Sequence, residues 1–133
     1  MATEGAFVMD ESYIANADLS AKQYFLVKLH TVADQVALVA AVTDRPIGIL
    51  QNDPDASGKP ATVRHLGKSK ANVDGSGTAI AIGDYLGPDA NGRLVKVTTV
   101  DRPILAQARR AASTQGAVIE VTLMPFGFFR TAA

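Results

Sequence analysis

The 133-residue sequence predicts a single all-β domain with little helix, built as a small barrel or sandwich. Three observations lead there. Short runs rich in branched and aromatic residues recur between turn signals at a spacing of roughly 8–12 residues. Only one stretch, Ile104–Thr114, has a composition that favours helix. The tetrapeptide Asp-Arg-Pro-Ile occurs twice, at Asp44–Ile47 and Asp101–Ile104, an offset of 57 residues. Each copy follows an apolar run, Val36–Val42 or Leu94–Val100. Each also precedes another apolar run, a small-residue break holding Gly58 or Gly116, and a β-rich run. Repeated context on both sides predicts an internal pseudo-repeat.

Composition narrows the function classes. Hydrophobic residues make up 47% and charged residues 20%, the balance of a chain that folds around a core. Thirteen basic and 13 acidic residues cancel, so the overall charge gives no reason to expect nucleic-acid or membrane binding. Cysteine is absent, which excludes disulfides, a thiolate nucleophile and Cys-based zinc sites. No run of 18 apolar residues occurs, and residues 1–21 hold no Lys or Arg. A membrane-spanning helix or cleavable signal is therefore not expected.

In chain order, residues 1–22 read as an N-terminal arm and residues 23–133 as one β-rich domain. The arm carries Glu4, Asp10, Glu11 and Asp18 among scattered apolar residues, including Phe7, Val8, Tyr13 and Ile14, with no clear period. It reads either as a frayed terminus or as an acidic, extended arm that orders on a neighbouring molecule. Gln23–His30 predicts the first strand and Val36–Val42 the second. Asp44–Gly67 predicts a hairpin whose tip is dense in turn formers, from Asn52 to Pro60. Lys70–Val73 and Thr78–Ile82 predict short strands, and Asn91-Gly92 a hairpin turn before Leu94–Val100. Ile104–Thr114 is read as strand to about Ala108, then a helical turn or loop. Ala117–Met124 predicts the last strand. The tail holds Phe126, Phe128 and Phe129, which either close the core or dock on another chain.

Chemical motifs mostly dissolve on inspection. Gly67-Lys68-Ser69 matches the end of a phosphate-binding loop, but its first glycine would fall at Thr62 and no helix follows. Gly75-Ser76-Gly77 lacks the third glycine of a dinucleotide fingerprint. Asp89, Asn91 and Gly92 lack the ligand ladder of a calcium loop. His30 and His65 have no second ligand at metal spacing. The paired Asp44-Arg45 and Asp101-Arg102, duplicated beside prolines, read as turn caps rather than catalytic groups. The residues thus predict no enzyme and no cofactor.

Several stretches resemble one family: Arg45–Asn52, Ala61–Arg64, Gly67–Lys70, Gly83-Asp84, Asn91–Lys96, the Ala-rich 106–112 segment and Val118–Leu123. In this order and spacing they resemble the capsid cement, or head decoration, proteins of tailed phages, from about Gln23 to Met124. The second repeat departs at Leu105, where glycine would mirror Gly48. The resemblance implies a β-barrel or β-tulip-like structural protein on the outer capsid surface of the virion, made in the host cytoplasm. Its partners would be the major capsid protein, which it staples after head expansion, and itself, as a homotrimer. Phe7, Val8, Tyr13, Ile14, Phe126, Phe128 and Phe129 are the candidate contacts. A tail or baseplate interaction module, or a phage nucleotide-binding protein, is the alternative.

Overall fold

The computed structural model describes residues 7–99, 102–124 and 129–130, and no helix occurs among them. The first half of the chain supplies β1 (Met9–Ala15), β2 (Leu26–Leu29), β3 (Gln35–Leu38), β4 (Pro46–Leu50) and β5 (Pro60–Asp74). The second supplies β6 (Tyr85–Pro88), β7 (Leu94–Lys96), β8 (Arg102–Pro103), β9 (Ala106–Ala108), β10 (Gln115–Leu123) and β11 (Phe129–Arg130). The main sheet runs β1-β3-β2-β4-β5-β10-β9-β6-β7, and β11 pairs with β8 apart from it.

Two further pairings curl this sheet into rings. β1 returns antiparallel to the first half of β5, from Met9↔Leu66 to Ile14↔Pro60, closing a five-stranded barrel. β7 returns to the second half of β5 at Val73↔Leu94, closing β5-β10-β9-β6-β7. The 15-residue β5 is therefore the last strand of one ring and the first of the next.

The pseudo-repeat is real at the level of register. Ala15↔Val36 in the first ring corresponds to Val73↔Leu94 in the second, and Leu50↔Val63 to Ala108↔Val121, each displaced by 58 residues. The irregular positions repeat as well. Left-handed backbone at Tyr24, Asp34 and Gly58 recurs at Gly83, Gly92 and Gly116. The bonds Tyr24 N–H to Leu50 O and Leu50 N–H to Phe25 O recur as Gly83 N–H to Ala108 O and Ala108 N–H to Asp84 O. The Asp-Arg-Pro-Ile copies lie 57 residues apart, one short of this register, because the second unit gains a residue before β9. Gly48, opposite Val27, thus corresponds to Ala106, opposite Leu86, and not to Leu105 as the 57-residue offset of the tetrapeptide suggests.

Each ring encloses its own core. Ala15, Val27, Val36, Leu50, Ala61 and Val63 fill the first; Val73, Leu86, Leu94, Ala108, Ile119 and Val121 occupy the same places in the second. Sizes are exchanged between them, Leu50 with Ala61 against Ala108 with Ile119, so packing density is kept while the arrangement differs. Leu26, Val39 and Ile49 face the other way and join the second core, binding the rings together.

The junction shows why the second seam is looser. In the first ring, Ile14 N–H donates to Asp34 O and zips β1 to β3. At the matching place in the second, Tyr24–Leu26 is inserted: Asn72 N–H donates to Tyr24 O and Leu26 N–H to Gly92 O. Arg93 stacks on Phe25, its guanidinium carbon 5.2 Å from the ring centroid.

Four sequence expectations change. The separate arm expected over residues 1–22 is, in its described part, built into the barrel: β1 is paired, and Ala15 and Leu19 are buried. Most of β1 presents polar residues outward, so its strand character leaves little alternation to read. Lys70–Val73 is not a separate strand but the continuation of β5 through Gly67, whose φ of 99° lets the strand pass beneath Phe7 and Val8. Thr78–Ile82 contributes only an isolated bridge, Ile80 to Ala112, and the first predicted strand begins at Leu26, after a turn closed by Phe25 N–H to Lys22 O. After Ala108 the loop alternative holds: the chain bends at Arg109 and Arg110 and bridges at Ala112 before β10.

Candidate functional site

The turn-cap reading of Asp44 holds in detail. Its carboxylate accepts from Ala40 N–H at 2.9 Å, Ala41 N–H at 3.0 Å and Lys28 Nζ at 2.8 Å. The Lys28 bond, followed by the backbone donors, keeps its pKa below the usual carboxylate range. The acid is thus committed to holding the β3–β4 turn. Asp101 lies outside the described residues. The hairpin tip is clamped by Asn52, whose amide donates to Pro60 O and accepts from Thr62 N–H.

His65 sits inside β5, 7% exposed. Its Nδ1 lies 2.8 Å from Ile47 O and must donate there, which leaves Nε2 to accept from the Tyr13 hydroxyl at 3.1 Å. Tyr13, one of the contact candidates, is thereby half-buried, its ring edge-on to His65. Burial, followed by the nearby Glu11 carboxylate, raises its pKa. This pair braces β1 against β5.

Lys68 and Ser69 belong to β5, Lys68 paired with Glu120 at 2.9 Å and Ser69 buried with its hydroxyl donating to Lys70 O. No helix N-terminus follows them, so they form no phosphate cradle. Among the described residues, no group of three or more His, Asp or Glu is placed to hold a metal ion.

What the surface does offer is exposed apolar side chains. Phe7 is 76% exposed, and Met9 and Leu66, register partners on β1 and β5, lie half out of the surface nearby. Val8 and Ile14 are also exposed, so three of the candidates present apolar surface on the first ring. Leu29 and Val32 crown the β2–β3 hairpin, and Ile82 and Tyr85 project beside β6. Leu29, Met9 and Leu66 were not singled out in the sequence because each lies in or beside a strand where core placement was equally natural. Phe126 and Phe128 lie outside the described residues; Phe129 falls in β11.

Two open hollows lie one on each ring, overlapping at the register-matched pairs Ser12/Lys70 and Pro60/Val118. The first is lined by Glu11, Ser12, Asp34 and Pro60 among others, the second by Lys70, Arg110, Val118, Ile119 and Glu120.

No protein-family profile matches the chain, and no curated protein sequence matches it. Its fold does match a solved structure, the crystal structure of the head fiber gp8.5 N base of bacteriophage phi29. The TM-score is 0.66 at 18% identity, covering 92% of this chain and 98% of that one. At that identity the likeness is one of fold.

Proposed function

We propose that this chain is a structural protein of a tailed-phage head, without enzymatic activity, that docks on the outer face of the expanded capsid and staples neighbouring major capsid proteins. The observation that carries this reading is the fold it shares, nearly end to end, with the base domain of a phage head fiber. The sequence resemblance to capsid cement proteins points the same way from independent residues. A staple needs adhesive surface rather than a reactive group. The exposed Phe7, Val8 and Ile14, with Met9 and Leu66 beside them, supply apolar area of the kind that is buried on docking. The tail phenylalanines Phe126, Phe128 and Phe129 belong to the same proposal, as does Tyr13 through its support of β1. Many copies on a repetitive shell turn a modest single-site affinity into lasting occupancy.

Co-sedimentation with decoration-free expanded heads and with unexpanded proheads tests it. Saturable binding to expanded heads is expected, weakened by Phe7→Asp. Deleting residues 1–22 is unsuitable, since Ala15 and Leu19 are core residues. Absence of binding to either particle contradicts the proposal.

A further inference from the structure

We propose that this chain assembles with further copies of itself by seating the basic hollow of its second ring against the acidic hollow of the first ring of the next copy. The overall charge of zero conceals a division. Through Leu66 the chain has eight acidic and five basic residues; from Gly67 onward it has eight basic and five acidic. Gly67 is where β5 passes from the first ring to the second, so one fold is presented twice with opposite net charge.

Each ring carries one hollow of its own charge. Lys70 in the second ring corresponds to Ser12 in the first, and Val118 to Pro60, by the same 58-residue register, while the acidic groups of the first and Arg110 of the second stand at positions of their own. The first hollow holds Glu11 and Asp34. The second holds Lys70 and Arg110; its one acid, Glu120, is already paired with Lys68. Among the described residues, neither Lys70, Arg110 nor their neighbour Arg109 forms an ion pair within 4 Å, and Asp34 forms none either. Val118, 51% exposed, gives the basic hollow an apolar floor against which a partner's Pro60 and Ile14 can pack. Opposite charge favours the acidic-to-basic encounter, while acidic-to-acidic and basic-to-basic approaches are repelled, which sets orientation as well as affinity.

A contact between two different patches is heterologous, so it builds a ring where the rotation closes and an open filament where it does not. That is the kind of interface a cyclic homotrimer requires. The proposal therefore deepens the head-protein reading by naming the self-contact, yet it is tested without any capsid.

Sedimentation velocity of the full chain at about 0.02 M and about 0.5 M salt reads it directly, because screening shortens the range of these charges. The wild type is expected to associate at low salt, with the association constant falling about tenfold or more at high salt. The charge-reversed pair Lys70→Glu/Arg110→Glu is expected to be monomeric alone. So is Glu11→Lys/Asp34→Asn, in which Asn keeps the left-handed backbone at 34 accessible. Mixing the two variants is expected to restore association. The milder Lys70→Gln/Arg110→Gln serves if the reversal disturbs folding, checked by circular dichroism. A wild type that is monomeric at both salts, or association indifferent to these substitutions, overturns the proposal. A monomer that still binds heads would leave the capsid reading standing, and an assembled protein that binds no heads would remove that reading alone.

Discussion

Gly92 offers the sharpest test of how the two rings are joined. Its φ of 81° lies in the left-handed region, and a Cβ there would stand 2.7 Å from Leu38 Cδ1 and 3.3 Å from Phe25 Cδ2. Gly83 shares the conformation, at φ 91°, but has nothing within 4 Å of its absent Cβ. Substituting alanine costs each about 1–2 kcal/mol for the backbone conformation. At Gly92 the methyl must also displace Leu38 and Phe25 at the ring junction, adding about 1–3 kcal/mol. Gly92→Ala should therefore destabilise by about 2–5 kcal/mol and Gly83→Ala by about 1–2 kcal/mol. At this chain length 1 kcal/mol corresponds to about 4 °C in Tm, so losses of about 8–20 °C and about 4–8 °C are expected. The chain has no tryptophan, so far-UV circular dichroism is the readout for thermal and urea unfolding. Equal losses for the two variants would refute the packed junction.

Three further outcomes follow from the same geometry. Leu26→Ala empties a site 1% exposed between the rings and should cost about 2–5 kcal/mol by urea unfolding. Because the folded pKa of Asp44 is depressed, its stabilisation is present above the ordinary carboxylate value and lost as pH falls through the folded one. The stability gap between wild type and Asp44→Ala should thus be full at neutral pH and close in acid, which urea unfolding across pH checks. Lys68→Ala removes an exposed ion pair worth about 0.2–1 kcal/mol, so Tm should barely move, and ATP should produce no thermal shift in either protein.

Much of this fold was legible because the strands that matter most carry branched residues between strong turn formers. The Asp44–Gly67 hairpin, the cap by Asp44 and the duplication announced by Asp-Arg-Pro-Ile all survive in the structure. What the pattern concealed has physical causes. β1 shows mostly polar residues to solvent and buries little beyond Ala15, so no periodicity marks it. Gly67 looked like a strand break but is the residue that lets β5 serve two rings. Thr78–Ile82 alternates like a strand, yet only Ile80 forms a bridge, to Ala112, while the Ala81 N–H is taken by the Asp84 carboxylate. The opposite charges of the two units vanish in a total that sums to zero, and become visible only once β5 shows where one unit ends and the next begins. Exposure of Phe7 and Leu66 depends on which face of a curled strand meets water, which spacing alone does not decide.

The central claim is that this protein stands on the outside of a phage head. Cryo-electron microscopy of expanded heads with and without the added protein, subtracted after icosahedral averaging, measures it most directly. The account predicts extra density on the outer surface that fits two fused five-stranded rings, with the Phe7–Leu66 side against the shell. A featureless difference map at saturating protein, or density confined to the inner face, would contradict it.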